Sequence, residues 1–206
     1  MNWDNAIIFA FIVFVLALRV AARTMLVPKQ HKLPPKEVQE LFRIDRNNNA
    51  FNKLERNEDN QISLKLKSKI KVTSDSYIFR FEFPDVEMSL GLPIGNHVMF
   101  HTTIDGEEVD RPYTPISMVK DQTFVDFLIK IYRKNPKSKF PEGGQMTQYL
   151  EKMKTGDTML MSGPTGRLTY EGCGRFSIRN KLSTIVKTKI GHIAGGTGIT
   201  PIYQIL

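Results

Sequence analysis

The chain has a single cysteine, Cys173. That scarcity excludes an internal disulfide framework and any multi-cysteine zinc or iron–sulfur centre, and it fits a reducing compartment. Histidines are also few, at positions 31, 97, 101 and 192, and none shows ligand spacing. His97 and His101 fall on one side of an extended segment, as half-buried strand histidines do, so no metal site is expected. Acidic residues are outnumbered, 21 Asp and Glu against 29 Lys and Arg, which gives a net charge of +8 and a pI near 9.5. Such an excess suits an acidic partner or an anionic membrane surface. The lysines are dispersed, however, and no recognition helix, zinc finger or stacking platform accompanies them, which sets nucleic acid aside. The GxGxxG fingerprint of a Rossmann dinucleotide fold is missing too.

Long apolar runs are scarce, and the one present lies at the start. Ala6 to Leu18 is unbroken, and with Val20, Ala21 and Ala22 it reaches about the lower length for spanning a bilayer. Asp4 precedes it and no side-chain cation does, the wrong charge for a secretory signal. Asn2 excludes N-myristoylation. Arg19, Arg23, Lys29, Lys32 and Lys36 follow the run, and this bias places the bulk of the protein on the cytosolic side. Residues 1–27 are read as an uncleaved membrane anchor, with shallow interfacial insertion as the alternative. Residues 28–60 read as a polar linker. Its Asp45–Glu55 stretch fails as a calcium loop, because Ala50 stands where glycine is required.

From Ile62 the period becomes two, the signature of strands. Ile62, Leu64, Leu66, Ile70 and Val72 alternate with Lys65, Lys67, Lys69 and Lys71. This predicts a core face backed by a row of four lysines, either a solvated face or a docking surface for an acidic protein. Tyr77, Phe79, Phe81 and Phe83 continue the alternation, and Asp105-Gly106 signals a tight hairpin. Further strands are expected at His97–Phe100, Phe124–Tyr132 and from Asp157 onward. Six or so strands at this spacing predict a small antiparallel barrel over residues 61–180.

Three stretches carry chemistry. In Arg111-Pro112-Tyr113-Thr114-Pro115-Ile116-Ser117 the prolines hold their neighbours extended, so Arg111 and Tyr113 share a face. That face presents a forked phosphate ligand beside a flat ring, as a dinucleotide with a flat heterocycle requires. The plainer alternative is a proline-broken edge strand with its arginine in solvent. Gly143-Gly144-Gln145-Met146-Thr147 opens a helix whose apolar stripe is Met146, Tyr149, Leu150 and Met153, and its glycines let backbone N–H groups approach an anion. Near the end, Ile190 to Ala194 predicts an apolar strand, Gly195-Gly196-Thr197-Gly198 a turn, and Ile202 to Leu206 a helix start, together a unit suited to a dinucleotide.

Taken together, Arg111–Ser117, Ile129-Lys130-Ile131-Tyr132, Gly143–Thr147 and Gly195–Pro201 resemble the NADH-cytochrome b5 reductases, a branch of the ferredoxin-reductase-like flavoproteins. The likeness runs from about residue 62 to 206, with the motifs in the family's order. It implies a six-stranded antiparallel Greek-key FAD-binding barrel with one helix, followed over residues 181–206 by the first strand and helix start of an incomplete α/β NADH-binding domain. It implies electron transfer from NADH through FAD to an acidic haem protein such as cytochrome b5, at the endoplasmic reticulum or outer mitochondrial membrane. By resemblance, Arg111 and Pro112 hold the pyrophosphate side, Tyr113 lies on the flavin and its ribityl chain, and Thr114 bonds near flavin N5. Leu128, Lys130 and Tyr132 contact the flavin or its adenine side, and Thr114 and Lys130 are the candidate catalytic residues. Gly144, Gln145, Met146 and Thr147 cap the pyrophosphate. Thr197 reaches the flavin, and Gly195, Gly196 and Gly198 admit the nicotinamide. With the nicotinamide domain only begun, the alternative expectation is a membrane-tethered FAD-binding module with no NADH turnover of its own.

Overall fold

The computed structural model describes residues 57–59, 61–85, 88–118, 123–138, 140–179 and 184–206. The expected anchor, the calcium-loop look-alike and most of the polar linker lie outside them. Among the described residues no helix is long and apolar enough to cross a membrane.

Alternating side chains dominate, and the chain is mainly β. The strands are β1 (Ile62–Lys71), β2 (Ser76–Glu82), β3 (His97–Ile104), β4 (Glu107–Tyr113), β5 (Phe124–Lys130), β6 (Thr158–Thr165), β7 (Leu168–Gly172), β8 (Arg175–Ile178) and β9 (Thr184–Val186). The helices are α1 (Gln145–Lys152) and α2 (Ile199–Ile205). The first six strands form one antiparallel sheet in the order β4-β3-β6-β1-β2-β5. Its inner face buries Ile62, Leu64, Leu66, Phe79, Phe81, Val98, Phe100, Val125, Phe127, Ile129, Met159 and Met161. Phe100 and Phe127, one from each half of the sheet, meet edge to face at 4.9 Å between ring centres.

The expected closed barrel is a curled, open sheet. β4 and β5 are its two edges, and no ladder joins them among the described residues. The segment after β4 bridges the gap instead: the Ile116 N–H donates to the Asp126 carbonyl at 2.8 Å, and the Ser117 hydroxyl accepts from the Asp126 N–H at 3.1 Å. Prolines explain why the edge stays open. Pro112 has no N–H to give a neighbour, and an edge strand is where a sheet tolerates that loss. The β3–β4 hairpin turns at Asp105 and Gly106, both at positive φ (53° and 85°), as the Asp-Gly pair predicts.

The expected row of four lysines is broken. Between Leu66 and Ser68 the β1–β2 register slips by one residue, a bulge that exchanges the faces of everything after it. Lys69 therefore turns toward the side of Phe79 and Tyr77, and Ile70, expected in the core, is 49% exposed. Lys65 and Lys67 remain outward, and Lys67 pairs with Glu82 at 3.6 Å.

Beyond β6 the chain forms a second sheet, β7-β8-β9, that the strand spacing does not foretell. It is stitched to the first by the Tyr170 N–H on the Ile94 carbonyl (2.8 Å) and by Asn96 Nδ2 on Thr169 Oγ1 (2.9 Å). The strand expected at Ile190–Ala194 is absent: that stretch makes no ladder, and Ile193 is 97% exposed. An extended segment needs a neighbour for its N–H and C=O groups, and none of the described strands lies alongside. The helix expected from Ile202 begins three residues earlier, after a 3-10 turn at Gly196–Gly198.

Candidate functional site

Edge strand β4 delivers Arg111 and Tyr113 to the inner side of the curl. Arg111 stands opposite Phe100 and Tyr113 opposite Val98, both buried, so the shared face inferred from the prolines is present. The Tyr113 ring leans on Phe100 at 4.6 Å between centres and is fixed there. Burial pushes its phenol well above the usual range, the Arg111 charge opposes this, and the nearby Tyr132 adds to it. Tyr113 thus stays a neutral phenol between Arg111 and Tyr132. Arg111 is exposed, and its Nη1 donates to the Asp110 carbonyl at 2.7 Å, which steadies the guanidinium while leaving other N–H groups of its fork outward.

Helix α1 packs against β3 and β4. Met146, Leu150 and Met153 anchor it in the core, at 1%, 0% and 4% exposure, as the apolar stripe predicts. Gly144 is its N-cap, in extended conformation and without a side-chain cap. The first-turn N–H groups of Gln145, Met146 and Thr147 have no acceptor among the described residues. Three free donors at a positive helix end are an arrangement that suits an anion.

Tyr132 and Thr147 hold that helix start in place. The Gly144 N–H donates to the Tyr132 carbonyl at 2.8 Å, and the Tyr132 N–H donates to Thr147 Oγ1 at 3.1 Å. The Thr147 hydroxyl in turn donates to the Gly144 carbonyl at 3.0 Å. Thr147 side-chain oxygen is therefore occupied with positioning, and only its backbone N–H remains for an anion. A Cβ on Gly144 would stand 2.6 Å from that oxygen and 3.3 Å from Tyr132 Cβ, so the close approach requires glycine.

The far end of α1 is clamped by residues to which the sequence pattern assigns no such part. Lys69 Nζ donates to the Glu151 and Met153 carbonyls at 2.5 and 3.0 Å, a cation on the negative end of the helix. Arg133 grips the Glu151 carboxylate through Nε (2.9 Å) and Nη2 (2.5 Å), and reaches the Ser74 carbonyl at 3.1 Å. Only the β1 bulge brings Lys69 there, and a bulge leaves no mark on the alternation of residue types.

Arg111, Tyr113, Tyr132, Gly144 and Thr147 therefore converge. Lys130 joins their border: its ammonium lies 5.9 Å from the Tyr132 ring centre and 3.2 Å from the Asp75 carboxylate. Burial pushes Asp75 up, but hydrogen bonds from Thr73, Lys130 and Ser76 and the Lys130 charge outweigh it, leaving Asp75 below its ordinary value. Thr114 is half-buried just past β4, ahead of the buried Pro115; Leu128 is half-buried opposite Ile78 on the outward side of β5. Pro112 and Gln145 are exposed. The glycine turn is not brought into this cluster. Gly195, Gly196 and Thr197 are exposed, and a Cβ added to Gly195, Gly196 or Gly198 would meet nothing within 4 Å. In helix α2, Gln204 Oε1 accepts from the Gly95 N–H at 2.7 Å.

Comparison with known proteins places the same span in a family. Residues 63–170 match the family model described as the oxidoreductase FAD-binding domain. Mouse NADH-cytochrome b5 reductase 3 is 48% identical over 154 residues, covering 73% of this chain and 51% of that protein. Human NADH-cytochrome b5 reductase 2 is 49% identical over 147 residues, covering 69% of this chain and 53% of its own length. Among solved structures, the cytochrome b5 reductase domain of Ulva prolifera nitrate reductase superposes with a TM-score of 0.66 at 38% identity, covering 73% of this chain and 56% of that one. The chain spans about half the length of the curated relatives it matches. With more than half of its residues under that model, the chain belongs to the oxidoreductase FAD-binding domain family.

Proposed function

We propose that this chain binds FAD in the angle between β4 and the start of α1, and that it serves electron transfer from NADH to a haem protein such as cytochrome b5. One observation carries the reading: a guanidinium, a phenol ring held against Phe100 and three unpaired helix-start N–H groups share one edge of the curled sheet. The donor set fits a diphosphate joined to a flat ring. Arg111 supplies a forked cation, and Gln145, Met146 and Thr147 supply backbone donors where glycine admits close approach. Tyr113, kept neutral, covers the ring system, with Thr114 at the edge of the same strand end. Lys130, Leu128 and Tyr132 border the adenine or flavin side, and Thr114 and Lys130 are the side chains we assign to catalysis. FAD, when bound, takes a hydride from NADH and releases electrons one at a time; the protein orients it and sets its electrostatics.

The names of the relatives supply the donor and the acceptor. Thr197, Gly195, Gly196 and Gly198 are assigned to the nicotinamide side, and residues 1–27 to an anchor in the endoplasmic reticulum or outer mitochondrial membrane. The domain bounds follow: linker 28–60, FAD-binding domain 61–180, and the start of an NADH-binding domain at 181–206.

A second reading, an FAD-binding module without NADH turnover, is favoured by the exposed glycine turn and the missing ladder at Ile190–Ala194. One experiment separates the two. Purified chain is loaded with FAD, its flavin content is measured, and NADH is added with ferricyanide as acceptor. Bound flavin with turnover supports the oxidoreductase, bound flavin without turnover supports the module, and absence of bound flavin refutes both.

A further inference from the structure

The outward face of the β4-β3-β6 half-sheet carries a cluster that the flavin site leaves unused. His101 stands directly opposite Asp110, and its ring bridges two neighbouring strands. Nδ1 lies 2.7 Å from Asp110 Oδ1, and Nε2 lies 2.7 Å from Ser162 Oγ. A carboxylate only accepts, so the proton of the neutral imidazole sits on Nδ1. Nε2 then keeps its lone pair, and the Ser162 hydroxyl donates to it. This is the order of nucleophile, base and orienting carboxylate that activates a serine. The two short bonds hold the ring in that tautomer, and the His101 side chain is only 17% exposed.

Access suits a small substrate. Ser162 is half-buried, and the register sets it beside Met99, with Pro112 next across β4. Leu160, 37% exposed, stands opposite His101. Met99, Pro112 and Leu160 therefore rim the hydroxyl with apolar surface. Arg111 alternates to the other side of β4, so the cluster and the flavin site lie on opposite faces of one sheet.

The geometry points to Ser162 as an activated nucleophile that is acylated by small apolar activated esters. Ser162 Oγ forms the bond to the acyl carbon while its proton passes to His101 Nε2. The bond from that carbon to the leaving aryloxide breaks, and the aryloxide departs with the proton from Nε2. Water, deprotonated by the same nitrogen, then attacks the acyl-serine and releases the carboxylic acid and the free hydroxyl. The net reaction is ester and water to acid and phenol, with no change of oxidation state. The face is an open sheet surface, so the acceleration is that of a positioned base, on the order of 10²–10⁴-fold.

The test is acylation of the full chain by p-nitrophenyl acetate, with release of nitrophenolate followed in time and the adduct located by peptide mass spectrometry. A fluorophosphonate probe serves as an independent label. The expected result is one adduct per chain, on Ser162, forming at least about 100-fold faster than on other serines. Ser162→Ala abolishes it, His101→Gln slows it at least about 100-fold, and Asp110→Asn, at a half-exposed side chain, slows it while leaving the fold unchanged by circular dichroism. No adduct on Ser162, or one that forms as fast in His101→Gln and Asp110→Asn, overturns the proposal and leaves an inert ladder of side chains across three strands. Neither result bears on flavin content, which is measured separately on the same variants.

Discussion

Adding one methyl group at Gly144 tests the helix-start lock by a quantity that can be worked out beforehand. Gly144 has φ −100° and ψ 115°, which alanine adopts freely, so backbone strain does not enter. The new Cβ would stand 2.6 Å from Thr147 Oγ1, too close for both to keep their places. Thr147 is 8% exposed and has little room to retreat, so its hydroxyl swings out of the lock. Two hydrogen bonds are then lost, from the Tyr132 N–H and to the Gly144 carbonyl. At about 1 kcal/mol each, with a further 1–2 kcal/mol for the Tyr132 N–H left unpaired, Gly144→Ala costs roughly 3–4 kcal/mol. Thr147→Ala removes the same two bonds and the obstacle together. The double variant Gly144→Ala/Thr147→Ala is therefore expected to cost little more than Thr147→Ala alone, a coupling of about 3 kcal/mol in the cycle. Urea denaturation of the four proteins measures it. If the two single costs add, or if Gly144→Ala costs less than about 1 kcal/mol, the contact between Cβ and hydroxyl is not what demands glycine here.

Lys69→Met leaves the Glu151 and Met153 carbonyls without their cation and is expected to cost about 1–2 kcal/mol, seen as a lower Tm with flavin released at lower denaturant concentration; an unchanged Tm would contradict the clamp. Changing Lys65 and Lys67 to Gln is expected to flatten the salt dependence of association with an acidic haem protein, whereas Lys69→Gln leaves that slope alone because Lys69 faces the helix; equal slopes for all three would put the bulge's effect in doubt. Asp75 has a folded pKa below its ordinary 3.8, so its ionised form contributes stability that is present above that value and lost as pH falls through the lowered one. Urea midpoints of wild type and Asp75→Asn are thus expected to differ at neutral pH and converge in strong acid; a gap independent of pH would mean that charge is not the cause.

How much of this the residue order reveals depends on which interactions decide each feature. Strand existence follows from alternation of apolar and polar types, and α1 follows from Met146, Leu150 and Met153 at helical spacing, because both patterns are set by burial. Arg111 and Tyr113 on one face was legible because Pro112 fixes the backbone between them. The open edge was less so: strand spacing does not distinguish a barrel from a curled sheet, and the decision falls to Ile116 and Ser117 bonding across to Asp126. The bulge after Leu66 was invisible, since Ile70 looks like a core residue by every measure except the slipped register. The strand expected at Ile190–Ala194 shows the opposite failure, in which local composition favours extension and no pairing partner stands beside it among the described residues. At the candidate site, residue types were readable and their uses were not. The sequence places Thr147 at the helix start but does not show that its hydroxyl bonds Tyr132 and Gly144, leaving the backbone N–H for an anion.

The most direct measurement is calorimetric titration of FAD into the wild-type chain and into Arg111→Ala. Arg111 is exposed on edge strand β4 and contributes little to the core, so the variant should fold as the wild type does. Loss of a charge-assisted contact to the diphosphate is expected to weaken binding by on the order of 2–4 kcal/mol, about 30- to 1,000-fold in Kd. Equal affinity of the two proteins for FAD would contradict the placement of the diphosphate between Arg111 and the start of α1.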